Sequence, residues 1–157
     1  MLRRNLVRSV LPASLLTPVF NGAMAQPRPL LRVVGDPGCE CCAGWARHME
    51  QAGFAVRKEE RPRMDPLRRT SGAPRELRGC HVGLHDRFAF EGHVPAVAVR
   101  RFLADPGPWR GLAVPGMPVG SPGMEVEGVT AQTYDVVRFD NAGRWELFAR
   151  AQGSDLI

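Results

Sequence analysis

Three of the four cysteines in the chain lie in the stretch 39–42, Cys-Glu-Cys-Cys. An apolar run, residues 30–34, precedes it and a helix-like run, residues 43–51, follows it, so the thiols are predicted to lie at a strand-to-helix turn. At a helix N-terminus, unpaired backbone N–H groups and the positive end of the dipole favour thiolate over thiol. The stretch therefore predicts cysteines that are good nucleophiles and good metal ligands.

Cys39 and Cys42 have the spacing of a CxxC redox pair, and Cys41 lies outside that scheme. Neighbouring residues of a helix point about 100° apart, so adjacent thiolates suit bridging between metal ions better than chelating one tetrahedral ion. A structural zinc site would more naturally show two separated CxxC pairs, which the sequence lacks. Thiolates combined with thioethers select Cu(I), which makes copper the first metal to test.

Two thioethers are available in the Gly- and Pro-rich segment 106–128, where a small Pro-Gly-Met repeat ends at Met117 and at Met124. The segment has no sustained periodicity and is predicted to be a loop. The alternative for both methionines is that they fill gaps or lie exposed in that loop.

The other hydrophobic patterns predict the elements that must position these residues. They are a strand over 54–58, a short helix over 67–70, strands over 80–85 and 88–91, a helix with its stripe at Val97, Val99, Phe102 and Leu103, and a C-terminal hairpin over 134–139 and 144–148. A strand, helix and strand followed by a hairpin and a helix, with a cysteine pair opening the first helix, predicts an α/β thioredoxin-like fold.

With 157 residues, 44% of them hydrophobic, the chain is long enough for one domain with a real core. Residues 1–25 combine a basic start, an apolar run and an Ala-x-Ala pattern ending at Ala25, which predicts a cleaved signal peptide. Two arginines at its start are similar to those of signals that export folded proteins. We therefore expect one periplasmic domain over 26–157, with no membrane span after cleavage.

Removing the signal leaves 18 basic against 16 acidic side chains, so the net charge falls from +5 to +2. Arginines between residues 61 and 78 are dispersed among acids and prolines without interleaved aromatic residues. This pattern argues against nucleic-acid binding and indicates a solvated face.

Four blocks together resemble a known family of small exported bacterial proteins. They are 36–42 with Trp45 and His48, the pair 80–81 (Cys-His), 91–95, and 111–125 with both Pro-Gly-Met units. In these blocks the chain is similar to the copper-resistance protein CopG, which implies a thioredoxin-like fold and a Cys-x-Cys-Cys copper site. The sequence departs from the family at Glu40, where a glycine is usual, and the added carboxylate would raise the pKa of the thiols.

The resemblance implies a copper site on soft ligands that converge through the fold. In a thioredoxin-like domain the segment entering the third strand lies against the first helix, so Cys80 and His81 would face the CxCC turn. His93 could equally be a ligand, orient one, or simply end a strand. The implied ligand set is Cys39, Cys41, Cys42, Cys80, His81, His93, Met117 and Met124.

Three functions follow from these patterns. The first is an exported copper-binding protein that contributes to copper resistance. Its partners would be copper ions and other periplasmic copper-handling proteins, and it could also act as a copper oxidoreductase. The second is a periplasmic thiol-disulfide oxidoreductase in which Cys39 attacks and Cys42 resolves. The third is a domain stapled by two disulfides that serves as a binding module.

Overall fold

In the computed structural model, residues 27–157 are described. The expected signal peptide and its cleavage after Ala25 lie outside the described residues. Within residues 27–157, no helix is both long enough and apolar enough to cross a membrane.

A single mixed sheet of eight strands, with helices on both faces, makes up the described chain. The strands are β1 Leu30–Gly35, β2 Ala55–Glu60, β3 His81–His85, β4 Phe88–Glu91, β5 Gly111–Ala113, β6 Thr133–Phe139, β7 Trp145–Gln152 and β8 Asp155–Leu156. The helices are α1 Glu40–Gln51, α2 Asp65–Ser71 and α3 Ala96–Ala104, with a 3₁₀ turn at Arg75–Leu77. The order across the sheet is β2-β1-β3-β4-β5-β6-β7-β8.

Strand directions place the ends of β1 and β3 side by side. β1 is parallel to β2 and antiparallel to β3, with Gly35 opposite His81. The chain therefore leaves β1 towards the CxCC turn at the same sheet end where it enters β3 after Cys80.

Side chains of the central strands alternate between two cores, as the pleat of a sheet requires. Leu31 and Val33 pack with Trp45 of α1 and Phe102 of α3, whereas Val34 faces the opposite cluster. That second cluster includes Met64, Leu77 and Phe139. The sheet is thus covered by α1 and α3 on one face and by α2 with the 3₁₀ turn on the other.

Trp45 fixes α1 on the sheet. Its indole Nε1 donates to the carbonyl oxygen of Val94 at 2.8 Å, and its ring lies over Gly83, where a Cβ atom would be 2.5 Å from the ring. Position 83 therefore has no room for a side chain, because the Trp45 ring occupies that space. The CxCC turn is anchored by a rigid helix.

Several element boundaries differ from the sequence prediction. α1 begins at Glu40, three residues earlier than predicted, with Cys39 as its N-cap. β2 continues through its charged end to Glu60, since an edge strand tolerates charges that face water. The short strands β5 and β8 were missed, because two or three residues carry no measurable period.

The predicted stripe of α3 is wrong at one position. Val97 is 42% exposed, and the buried side chains of the helix are Ala96, Ala98, Val99 and Phe102. The helix begins at Ala96, with Pro95 as its N-cap.

His48 links α1 to the start of α3, because its Nε2 accepts a hydrogen bond from the backbone N–H of Ala96 at 3.0 Å. Burial lowers the pKa of His48 below its ordinary 6.5. The stability from neutral His48 is therefore present above about pH 6.5 and is lost as the pH falls from 6.5 through the lowered pKa. We expect His48→Ala to cost about 1 kcal/mol at pH 7.5, as loss of a helix cap does.

His48→Gln keeps an acceptor without a titrating ring, so its stability should fall less than that of the wild type between pH 7 and pH 5. Urea unfolding across that range measures the difference. His85→Gln, at a partly exposed histidine of β3, is the control. Equal pH dependence in the wild type and His48→Gln would contradict the assignment.

Candidate metal centre

The fold brings Cys80 to the three cysteines of the CxCC turn. The four sulfur atoms lie within 4.8 Å of one another. Cys80 Sγ is 3.4 Å from Cys41 Sγ and 3.8 Å from Cys42 Sγ, and Cys39 Sγ is 3.4 Å from Cys41 Sγ. Residues far apart in sequence thus form one sulfur cluster, which we define as these four atoms.

Two of the four sulfurs form a bond. Cys39 and Cys42 are joined by a disulfide, and Cys41 and Cys80 are free thiols. The two structural disulfides of the third alternative are therefore not present among these cysteines, all of which are described. Cys42 is 7% exposed and Cys39 is half-buried, so the pair is reached from solvent through Cys39.

Helix α1 points its N-terminus at the cluster. The first helical hydrogen bond runs from the N–H of Ala43 to the carbonyl oxygen of Cys39 at 3.3 Å, so the N–H groups of residues 40–42 have no partner in the preceding turn. These groups and the helix dipole favour negative charge on the sulfurs.

Cys80 experiences the opposite effect. Burial, followed by the hydrogen bond and charge of Cys41, raises its pKa to about 12. Asp36 contributes to this rise, whereas Glu40, whose carboxylate was expected to act on the thiols, is exposed and contributes nothing to it. In the metal-free protein Cys80 is a protonated thiol, and a metal ion must displace its proton.

Two buried histidines stand behind Cys80. His81 Nδ1 is 3.3 Å from Cys80 Sγ, and His93 Nε2 is 4.0 Å from the same sulfur. Burial lowers the pKa of both rings, that of His81 to about 3, so both are neutral at pH 7. His93 Nδ1 donates to the carbonyl oxygen of Pro122 at 2.9 Å, which leaves a lone pair on Nε2 directed towards the cluster.

Two ionisable side chains, Glu91 and Arg68, hold the residue before Cys80. The N–H of Gly79 donates to Glu91 Oε2 at 3.2 Å, and the Arg68 guanidinium donates to the carbonyl oxygen of Gly79. A Cβ atom on Gly79 would lie 2.7 Å from the backbone of Gly92, so the close approach of the two backbones leaves no room for a side chain at Gly79. Burial raises the pKa of Glu91 to about 7. Both peptide groups of Gly79 are thus fixed, and with them the position of Cys80.

The two methionines are in different surroundings. Met124 is half-buried and lines an open cavity together with Cys41, Gly44 and Glu125. Met117 is 58% exposed and is not among the residues that line that cavity. Of the two methionines in the expected ligand set, the fold places Met124 at a cavity that Cys41 also lines.

The loop that carries Met124 rests directly on α1. Gly123 has φ +86°, and a Cβ atom there would lie 2.7 Å from the carbonyl oxygen of Cys41; one on Gly44 would lie 2.8 Å from Gly123 Cα. Both glycines are required by this close approach of two backbones. The contact sets the distance between the loop and the CxCC turn.

Sequence reasoning missed the supporting residues Glu91, Arg68, Gly79 and Pro122. The only available signal was Glu91, a carboxylate at the end of an apolar strand and inside one of the family blocks. A buried carboxyl group requires hydrogen-bond partners, which the sequence does not name.

Comparisons with known proteins agree with this geometry. The family model described as a protein of unknown function, DUF411, matches residues 77–124. A solved structure described as copper resistance protein copG, form 1, is 35% identical, covers 81% of this chain and 100% of its own, and has a TM-score of 0.75. Form 2 of the same protein is 35% identical, covers 80% and 99%, and has a TM-score of 0.74. Among curated proteins, none matches the chain significantly.

Proposed function

The chain belongs to the family of the copper resistance protein CopG, and from this premise we propose that it binds copper at the sulfur cluster and contributes to copper resistance. The observation that carries the proposal is the convergence of Cys80 with Cys39, Cys41 and Cys42. Thiolates select Cu(I), and four of them within bridging distance suit more than one ion.

We infer the rest of the ligand set from position. His93 Nε2 and His81 Nδ1 both face Cys80, and Met124 adds a thioether on the Cys41 side. Met117 is assigned to the exposed loop and leaves the set.

The copper site is built on a fold that we infer to be thioredoxin-like. The order β2-β1-β3-β4, with β1 parallel to β2 and antiparallel to β3, supports this, as do α1 and α3 on one face. Export to the periplasm by the signal over residues 1–25 completes the proposal, and the copper-resistance relatives support a role outside the cytoplasm.

Copper redox interconversion is the further step of this function. Oxidation of the Cys39 and Cys42 thiols to the disulfide releases two electrons and two protons, which suffices to reduce two Cu(II) ions to two Cu(I) ions. The disulfide seen here is the oxidised end of that couple. A copper oxidoreductase activity would require an outside reductant to return the disulfide to thiols.

Anaerobic titration of reduced protein with Cu(I), against a chromophoric chelator, tests the proposal. We expect more than one equivalent of Cu(I) per chain, and fewer in Cys41→Ser, because that sulfur lies 3.4 Å from both Cys39 Sγ and Cys80 Sγ. Binding of one equivalent or less by the reduced wild type would overturn the cluster.

The methionines provide a matched pair of variants. Met124→Leu should weaken Cu(I) binding by about tenfold, a value in the range for loss of a group that supports a metal site. Met117→Leu, the same change on an exposed side chain, should leave it unchanged. Competition with the same chelator measures both, and an equal effect of the two variants would remove Met124 from the site.

A thiol-disulfide oxidoreductase is the second candidate, and the Cys39–Cys42 disulfide with its more accessible first cysteine favours it. That activity would survive Cys41→Ser, since attack and resolution need only the other two sulfurs. Reduction of insulin disulfides at wild-type rates by the Cys41→Ser variant, without Cu(I) binding by the wild type, would establish this function instead.

A further inference from the structure

An unbalanced positive charge is concentrated beside the sulfur cluster. Residues 61–78 hold six arginines and two acidic residues, a net charge of +4, whereas residues 26–157 as a whole carry +2. The rest of residues 26–157 therefore carries a net charge of −2, so positive charge is concentrated in this one segment.

Most of these arginines have no acidic partner. Arg61 pairs with Glu59 at 3.5 Å, but no other arginine of this segment forms an ion pair with any described residue. The five others, which we call the arginine patch, are Arg63, Arg68, Arg69, Arg75 and Arg78. The charges of Arg68 and Arg78 act on the buried Glu91 carboxyl and lower its pKa against the effect of burial. The field that extends towards solvent is therefore mainly that of the exposed Arg63, Arg69 and Arg75.

Backbone contacts order part of the patch. The Arg68 guanidinium donates to the carbonyl oxygen of Gly79, and Arg78 Nε donates to that of Ala73 at 3.2 Å. Arg63, Arg69 and Arg75 make no side-chain hydrogen bond to any described residue, so their donors are available to a ligand. The patch therefore combines two guanidinium groups held by backbone carbonyls with three that are free to bind a ligand.

The patch is concave and borders the copper site. One open depression is lined by Asp65, Arg69, Arg75 and Arg78. Its neighbour shares Asp65 and Arg69 and extends to Asp36, which lies three residues before Cys39. The bond from Arg68 to Gly79 then connects the patch to the residue before Cys80.

We propose that the arginine patch is a docking surface for a partner protein with an acidic face, which exchanges copper with the adjacent sulfur cluster. The identity of the cargo rests on the proposed function, whereas the docking surface rests on charge and shape alone. Guanidinium groups bind carboxylates in two-pronged contacts, and complementary charge speeds encounter and fixes orientation.

The composition of the patch selects a protein over other polyanions. No aromatic side chain lines either depression, so there is nothing on which a nucleic-acid base could stack. Of the large apolar side chains that are exposed in the described chain, none lies between residues 61 and 78, so a membrane would find no group to insert.

Binding of a fluorescent ten-residue glutamate peptide, followed by anisotropy, tests the surface. The double variant Arg69→Glu/Arg75→Glu should weaken binding by at least about tenfold, and added salt should weaken wild-type binding. Arg28→Glu/Arg87→Glu makes the same charge change at the opposite end of β1 and should have little effect. Equal effects of both double variants, or tighter binding to a single-stranded DNA or to vesicles with anionic lipid, would overturn the proposal.

Copper transfer tests the exchange step. One Cu(I) carrier is a peptide with a Met-x-x-Met pair and eight glutamates, and the other has glutamine in place of every glutamate. Reduced wild type should take copper faster from the acidic carrier, and Arg69→Glu/Arg75→Glu should abolish that preference without changing the copper capacity. Equal rates from the two carriers would overturn the docking role, while absence of transfer from either, with peptide binding intact, would instead overturn the copper function.

Discussion

Cys80→Ser is expected to lower the Cu(I) affinity of the reduced protein by more than about 100-fold, beyond the effect of removing a group that only supports a ligand. Cys80 is the one sulfur that reaches the cluster through the fold, and it lies 3.4 Å from Cys41 Sγ and 3.8 Å from Cys42 Sγ. Without it, the remaining thiols all come from one turn of chain, where adjacent side chains diverge.

Chelator competition under anaerobic conditions measures the loss, and urea unfolding of the metal-free variant shows whether the fold is intact. Thr133→Ala, at an exposed hydroxyl of β6, is the control and should retain full capacity. Should Cys80→Ser bind as many ions as the wild type with the same affinity, the cluster would have to be assembled without β3.

The second large effect is expected from oxidation. With Cys39 and Cys42 joined, only Cys41 and Cys80 remain as thiols, and these two sulfurs suit one two-coordinate ion at most. Oxidised protein should therefore bind no more than one Cu(I), and full capacity should return when a reductant adds two electrons and two protons to the disulfide. Thiol titration should give two thiols before reduction and four after it.

A Cys39→Ser/Cys42→Ser double variant is the control for this experiment. It cannot form the disulfide, so its low copper capacity should be the same before and after reductant. If the oxidised wild type already held as much copper as the reduced protein, the disulfide would be compatible with the cluster and the redox dependence would be wrong.

Much of the fold was accessible from hydrophobic patterns, because β1, α1 and β6 each bury a recognisable apolar set, although Ala151 is the one buried residue of β7. What was missed depends on long-range pairing. β5 is three residues long and exists because β4 and β6 hydrogen-bond to it on either side. Its position inside a Gly- and Pro-rich segment hid it from any local pattern.

The candidate site, like the fold, could be predicted only in part from the sequence. Residue types and the family resemblance were enough to predict that Cys80 would join the three cysteines of the CxCC turn, whereas the copper-ligand set itself stays a prediction. Separating Met124 from Met117 was not feasible, since both stand in the same Pro-Gly-Met context and only the fold shows that Met124 lines a cavity with Cys41 while Met117 is exposed. The two side chains that hold Gly79 could not be predicted either, because Arg68 precedes β3 in the sequence, Glu91 follows it, and only the fold brings both to Gly79.

The backbone contact between Gly44 and Gly123 makes the position of the loop on α1 sensitive to any side chain at these two residues. A methyl group at either glycine would act as a wedge between α1 and the loop. Outward movement of the loop would widen the cavity that Met124 and Cys41 line, and would pull the Pro122 carbonyl from the His93 ring. One alanine would thus disturb both the lining of that cavity and the His93 ring, so two residues without side chains set the width of the gap between α1 and the loop.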